Sequence, residues 1–190
     1  MQAVPNVSAL SVAEYIEGEL SSRDRHEYIG GVVYAMAGGS EGHGLIVGNL
    51  VAALRPVLRG GACRVFANDL KVRLQVARED IFYYPDVMVA CDARDTDPYY
   101  RSFPKLLVEV LSPSTERTDR QEKLLNYTQI ETLEEYVLIA QDRIEVTVFR
   151  RANNWQPEVL RQPDPVLKLN SIHLSLPLRV VYEDVSVWRD

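Results

Sequence analysis

The stretch Lys105–Lys123, KLLVEVLSPSTERTDRQEK, decides how the chain is read. Its first part, KLLVEVL, is an apolar run of strand length, the kind found buried on both faces in the middle of a sheet. Glu109 stands inside it. A buried carboxylate is costly unless it is paired or holds a metal ion. Strand alternation groups Glu109 with Leu107 and Leu111 on one face, with Val108 and Val110 on the other. Pro113 ends the strand. Ser114, Thr115 or Thr118 can then cap a helix expected over Thr118–Ile130. On that helix Asp119, Lys123 and Tyr127 recur every four residues and share a face, while Leu124, Leu125 and Ile130 supply the packing side. By spacing alone, Asp119 and Lys123 read as a surface ion pair worth about a few tenths of a kcal/mol. A sharper reading sends Lys123 back over the strand end toward Glu109. A cation there orients a water and neutralises charge developing on a phosphate.

Just upstream, IFYYPDVMVA (residues 81–90) is a second apolar run. Asp86 shares a face with Tyr84 and Met88, and Pro85 has no N–H, so the ladder breaks or begins beside Asp86. Consecutive strands are often neighbours, in which case two carboxylates meet at this irregularity. Such oxygen ligands suit Mg²⁺ or Mn²⁺. Taken singly, Asp86 fits a Pro-Asp turn and Glu109 fits a solvent-facing strand end. The pair says more than either.

Working further outward, DLKVRLQV (69–76) alternates Leu70, Val72, Leu74 and Val76 with Lys71, Arg73 and Gln75, a half-exposed strand with a basic outer face. EYVLIA and RIEVTVFRR read as two strands about the turn QDR. WQPEVL and LKLNSIHLSL suggest further short strands, and LRVVYEDV a last helix. Toward the N-terminus, Ser11 with Glu14 forms a capping-box signature for a short helix. HEYIGGVVYAMA is a hairpin around Gly30-Gly31. From Ser40 to about Leu58, residues Ile46, Leu50, Ala53, Leu54, Val57 and Leu58 follow helical spacing, with Pro56 expected to distort the last turn. The order helix, hairpin, helix, strands, helix, strands predicts a mixed α/β or α+β fold with one central sheet, the two apolar runs at its middle.

The 190 residues fit a single domain, taken as 1–190. Hydrophobic residues at 46% and charged residues at 25% suit a soluble globular chain. A net charge of −6 argues against a broad basic surface wrapping nucleic acid, but permits an enzyme that meets DNA through one local patch. Cys63 and Cys91 are too few for a disulfide framework or a CxxC metal site. The N-terminus lacks the basic and apolar regions of a signal peptide, and no run approaches the roughly 18 apolar residues of a membrane span. A cytoplasmic protein without membrane contact is expected.

His43 faces the same way as the apolar stripe near a helix N-terminus, where the helix dipole favours neutral imidazole. It reads as a core histidine or as a site residue. Glu27 reads as an ordinary strand acid, and His26 and His173 show no sign of function. The three histidines are too dispersed for zinc, and neither HExxH, GxSxG nor a phosphate loop ending in GK[ST] occurs.

Together, YPDVMVA, LLVEVLSPST, DRQEKLLNY and LEEYVLI, preceded by HEYIGGVVYAMAGGSEGH, resemble the Uma2 family (also known as DUF820) over about residues 12–185. The resemblance implies a restriction-endonuclease-like fold of the PD-(D/E)XK type. It implies an acid from the Pro-Asp segment, Asp86, and one from the next strand, Glu109. Leu111 occupies the place where the superfamily has its lysine, and Lys123 stands where a helix-borne substitute is expected. His43 and Glu27 match family positions near the site. Val32 stands where the family often has an acid. The function implied is a Mg²⁺- or Mn²⁺-dependent endonuclease hydrolysing phosphodiester bonds of DNA. Asp86 and Glu109 bind metal, Lys123 positions the attacking water or stabilises the pentavalent state, and His43 and Glu27 assist. Cutting two strands makes a homodimer the expected assembly. The alternative is a non-catalytic nucleic-acid- or protein-binding module that retains the fold.

Overall fold

The computed structural model describes residues 9–36, 38–161 and 165–188. The N-terminal MQAVPNVS, read above as lacking the regions of a signal peptide, lies outside them. Helix α1 (Val12–Ser21) starts at Ser11, whose hydroxyl accepts from the Glu14 N–H while the Glu14 carboxylate accepts from the Ser11 N–H. The capping box therefore satisfies two of the helix's first donors. Strands β1 (His26–Ile29) and β2 (Val32–Ala35) pair with Ile29 opposite Val32. Gly30 and Gly31 both take positive φ, +54° and +95°, as a two-residue turn matching the strand twist requires. Helix α2 (Glu41–Leu58) begins at Ser40, which caps the His43 N–H, and continues through Pro56 to its end.

Strands β3 (Arg64–Ala67), β4 (Lys71–Val76), β5 (Glu79–Tyr83), β6 (Val87–Ala90), β7 (Tyr100–Arg101) and β8 (Pro104–Leu111) follow. The next helical stretch consists of α3 (Glu116–Thr118), a π-helical turn (Asp119–Lys123) and α4 (Leu124–Tyr127). It starts two residues earlier than expected and ends three residues sooner, and Thr115 at its N-cap makes no side-chain cap bond. Strands β9 (Glu135–Ala140), β10 (Glu145–Arg150), β11 (Pro157–Arg161), β12 (Val166–Leu169) and β13 (Leu174–Pro177) lead to α5 (Leu178–Val181).

The central sheet has the order β11-β10-β9-β8-β6-β3, with β8 and β9 parallel and the other pairs antiparallel. A second sheet, β2-β1-β5-β4-β7, stands beside it. The apolar run Ile81–Ala90 is thus shared between two sheets. Pro85 does more than interrupt a ladder, because β5 stays in the second sheet and β6 enters the central one.

Alternation along β8 decides which core each side chain joins. Val108 and Val110 pack with Ile46, Leu50 and Leu54 of α2. Leu107 and Leu111 pack with Tyr127, with Leu133, and with Val72 and Tyr83 of the second sheet. The core is thus two-layered about β8, and Glu109 lies on the side of the second sheet.

Lys71, expected on an exposed basic face, is buried instead. Its ammonium lies 5.1 Å from the centre of the Tyr84 ring, and burial lowers its pKa. Cys63 and Cys91 are joined by a disulfide. They follow from the register, since Arg64 pairs with Ala90 and the two cysteines are the next residues outward. No helix among the described residues is long and apolar enough to cross a membrane.

Candidate active site

Extending the β6–β8 register, in which Val87 pairs with Val108, sets Asp86 opposite Glu109. Pairing stops at that level, because Pro85 cannot donate. The Asp86 carboxylate takes over part of the ladder: Oδ2 accepts from the Val110 N–H at 2.7 Å. Its main-chain carbonyl accepts from the Asn68 N–H at 3.1 Å, and Oδ1 meets His43 Nε2 at 3.0 Å. His43 reaches it from the first turn of α2.

Glu109 is buried, with only 3% of its surface exposed. Its Oε1 accepts from Lys123 Nζ at 3.2 Å and from the Tyr127 hydroxyl at 3.0 Å. The question posed by an acid in an apolar strand is answered by these partners. The π-helical turn carries Asp119 and Lys123, and α4 carries Tyr127, so one face of this helical stretch closes over the end of β8. Lys123 Nζ also lies 3.0 Å from Glu27 Oε1 of β1 and 3.2 Å from Asp119 Oδ1. Asp119 and Lys123 therefore do not form a surface pair; both are buried.

Four carboxylates, Glu27, Asp86, Glu109 and Asp119, share a cavity of about 470 Å³ with Lys123 and His43. Burial, and then the neighbouring Asp119, Asp86 and Glu27, push the Glu109 pKa well above the carboxylate range against the pull of Lys123. Burial likewise raises Asp119 despite the same ammonium. Burial disfavours the Lys123 ammonium, but Glu109, Glu27 and Asp119 outweigh it and hold the group charged. The hydrogen bond to Asp86 raises the His43 pKa, against the effect of burial. The helix N-terminus favours the neutral ring, as expected from sequence, but the Asp86 contact prevails.

Two oxygens in this cluster, Glu27 Oε1 and Asp119 Oδ1, are buried without an aligned hydrogen bond, although the ammonium is within ion-pair range. One cation therefore serves more acid than it can satisfy. Among the described residues no three His, Cys, Asp or Glu side chains stand as a ready-made metal cage. Mg²⁺ does not require one, since it retains waters and takes one or two carboxylates. Asp86 and Glu109 are two such carboxylates, all-oxygen donors on facing strand positions, in a cavity with more carboxyl groups than cationic partners. They fit a hard divalent cation.

All five residues singled out from the sequence, Asp86, Glu109, Lys123, His43 and Glu27, line this one cavity. Asp119 was missed as a site residue. Its spacing from Lys123 was visible, but its burial was not.

The model of the Uma2 family, described as "Putative restriction endonuclease", matches residues 12–180. The chain belongs to the Uma2 family. The chain is similar to the uncharacterized protein slr1290 of Synechocystis sp., 36% identical over 179 residues and 93% of both chains. A second Synechocystis protein, sll1609, is 30% identical over 159 residues, 82% of this chain and 89% of that one. In three dimensions the chain is similar to a putative nuclease belonging to DUF820 from Anabaena variabilis. The TM-score is 0.74 over 91% of this chain and 97% of that one, at 20% identity. This likeness shows the fold: a mixed α+β arrangement with sheets flanked by helices, as the sequence predicts.

Proposed function

We propose that this Uma2 protein is a Mg²⁺-dependent endonuclease that hydrolyses phosphodiester bonds of DNA, working as a homodimer in the cytoplasm. The observation that carries the reading is the contact between Lys123 and Glu109 beside Asp86. It brings a buried ammonium and two carboxylates from facing strand positions to one cavity wall. Membership of a family described as "Putative restriction endonuclease" supports it.

Asp86 and Glu109 would hold the cation. When bound, it would neutralise charge on the phosphoryl oxygens and lower the pKa of a water. The residues of the chain do the rest. The Val110 N–H and His43 fix the Asp86 carboxylate through both of its oxygens. Tyr127 and Lys123 fix Glu109. The Lys123 ammonium, held against Glu109, would orient the attacking water or hydrogen-bond the scissile phosphate. Glu27 and Asp119 keep that ammonium charged and in place.

The test is cleavage of plasmid and single-stranded DNA with Mg²⁺ or Mn²⁺, comparing wild type with Glu109→Gln and Lys123→Ala, with folding checked by circular dichroism. Loss of roughly 100-fold or more in each folded variant is expected, the scale set by removing one preorganised charge-stabilising group. Nucleic-acid binding by wild type without any cleavage would replace the enzyme with a binding module.

A further inference from the structure

We propose that Arg25 binds the phosphate next to the scissile one on the nucleic-acid strand. The proposal rests on the nuclease reading of the same cavity and supplies its substrate-holding group. It begins with charge. The described lining holds four carboxylates against one ammonium and one guanidinium, those of Lys123 and Arg25. A polyanionic strand is repelled by such a cavity except where a cation meets it. Lys123 is 5% exposed and enclosed by three carboxylates, so it serves only a group bound directly over it. Arg25 lies on the exposed part of the lining, its side chain 46% accessible.

Its guanidinium is only half used. Nη1 donates to the Asn68 carbonyl and to Asp69 Oδ1, both at 2.9 Å. Nε and Nη2 make no hydrogen bond among the described residues. A fork anchored by one nitrogen and open at the others is pre-oriented for a phosphate oxygen. The anchor also ties Arg25 to the site, because Asn68 donates its N–H to the carbonyl of Asp86. A strand whose scissile phosphate sits over the buried Lys123 leaves the cavity through its exposed lining, where a neighbouring phosphate meets Arg25. That edge carries one cationic side chain among the described lining residues, Arg25. Ser40 and Ser114, which are exposed in the same lining, are neutral.

The experiment compares wild type, Arg25→Ala and Arg25→Lys on two substrates: an oligonucleotide, and bis(p-nitrophenyl) phosphate, a diester with no neighbouring phosphate. For Arg25→Ala on the oligonucleotide, KM should rise roughly tenfold or more with kcat little changed, and the loss in kcat/KM should exceed that on the small diester by about the same factor. Arg25→Lys should recover part of it. The slope of log KM against log salt should fall by about 0.7–0.9, the signature of one lost phosphate contact. Equal losses on both substrates would overturn the proposal, making Arg25 a support for Asn68 and Asp86. Unchanged oligonucleotide KM and salt slope would overturn it as well, with the nuclease reading intact. Wild type inactive on both substrates would remove the nuclease reading, and this proposal with it.

Discussion

Asp86 and Glu109 face each other where the β6–β8 ladder ends, and each is held by a different basic side chain: Asp86 by His43 at 3.0 Å, Glu109 by Lys123 at 3.2 Å. The division follows from strand geometry. Asp86 lies just before β6, within reach of the N-terminus of α2, while Glu109 lies inside β8 under the π-helical turn. The first carboxylate stays partly open to the cavity. The second is enclosed, and its charge depends on one ammonium.

That dependence sets the first expectation. Removing the ammonium in Lys123→Met leaves the buried Glu109 and Asp119 and the half-buried Glu27 together with no cation. Breaking a buried ion pair from one side costs roughly 3–5 kcal/mol. Urea unfolding without divalent metal should show a loss on that scale, and added Mg²⁺ should restore part of it by replacing the missing charge. A change in the urea midpoint within error, with and without Mg²⁺, would mean that the three acids are simply neutral in the folded chain.

How much of this was legible in advance depended on which force wrote it. The capping box at Ser11, the Gly30-Gly31 hairpin and helix α2 are local, fixed by neighbours within four residues, and each appeared where the sequence placed it. The convergence of Asp86, Glu109 and Lys123 needed tertiary packing, yet it was readable because Glu109 contradicts its strand. Asp119 and Lys71 were misread for one reason: a charge at regular spacing looks solvent-facing, and only the partner layer reveals otherwise. The division of Ile81–Ala90 between two sheets had a visible cause in Pro85, but a missing N–H does not say where the chain goes next. The Arg25 anchor, spanning 43 residues to Asn68, left no pattern in the sequence.

Glu135 gives a structural counterpart with no part in the site. It is 1% exposed at the start of β9, accepting from Arg150 Nε at 2.8 Å and from the N–H groups of Asn170 and Ser171 at 3.0 Å. Glu135→Ala leaves the Asn170 and Ser171 N–H groups without their acceptor and the Arg150 guanidinium with only Glu158 and the Lys168 carbonyl, so a loss of roughly 2–5 kcal/mol is expected. The fraction that remains folded should keep the wild-type kcat, because the acceptor ties β9 to the turn before β13 and touches nothing in the cavity. A drop in kcat at unchanged stability would reverse this assignment.

Cation binding should also register without any substrate. A ligand at ten times its Kd stabilises the folded state by about 1.4 kcal/mol, which for a chain of this size raises Tm by roughly 3–6 °C. Mg²⁺ should produce such a shift in wild type. Asp86→Asn and Glu109→Gln should each reduce it sharply, even if Glu109→Gln raises the starting Tm by relieving a buried charge. An equal Mg²⁺ shift in all three proteins would locate the cation elsewhere.

The Cys63–Cys91 bond yields the last expectation. It joins residues 28 apart and closes β3 onto β6 at the end away from Asp86. Closing a loop of that length removes unfolded-state entropy worth roughly 3–4 kcal/mol. On that scale, the double variant Cys63→Ser, Cys91→Ser should melt about 10 °C below the oxidised protein. Reductant should lower the wild-type Tm by a similar amount and leave the double variant unmoved. β3 is an edge strand whose one strand partner among the described residues is β6, and Asn68 follows it directly, donating to the Asp86 carbonyl. Fraying of β3 on reduction should therefore weaken the support of Asp86, so that reductant lowers the Mg²⁺-induced shift in Tm as well as Tm itself. A Tm that falls while the Mg²⁺ shift keeps its size would show that the near end of β3, at Ala67 and Asn68, is held by the register with Val87 alone.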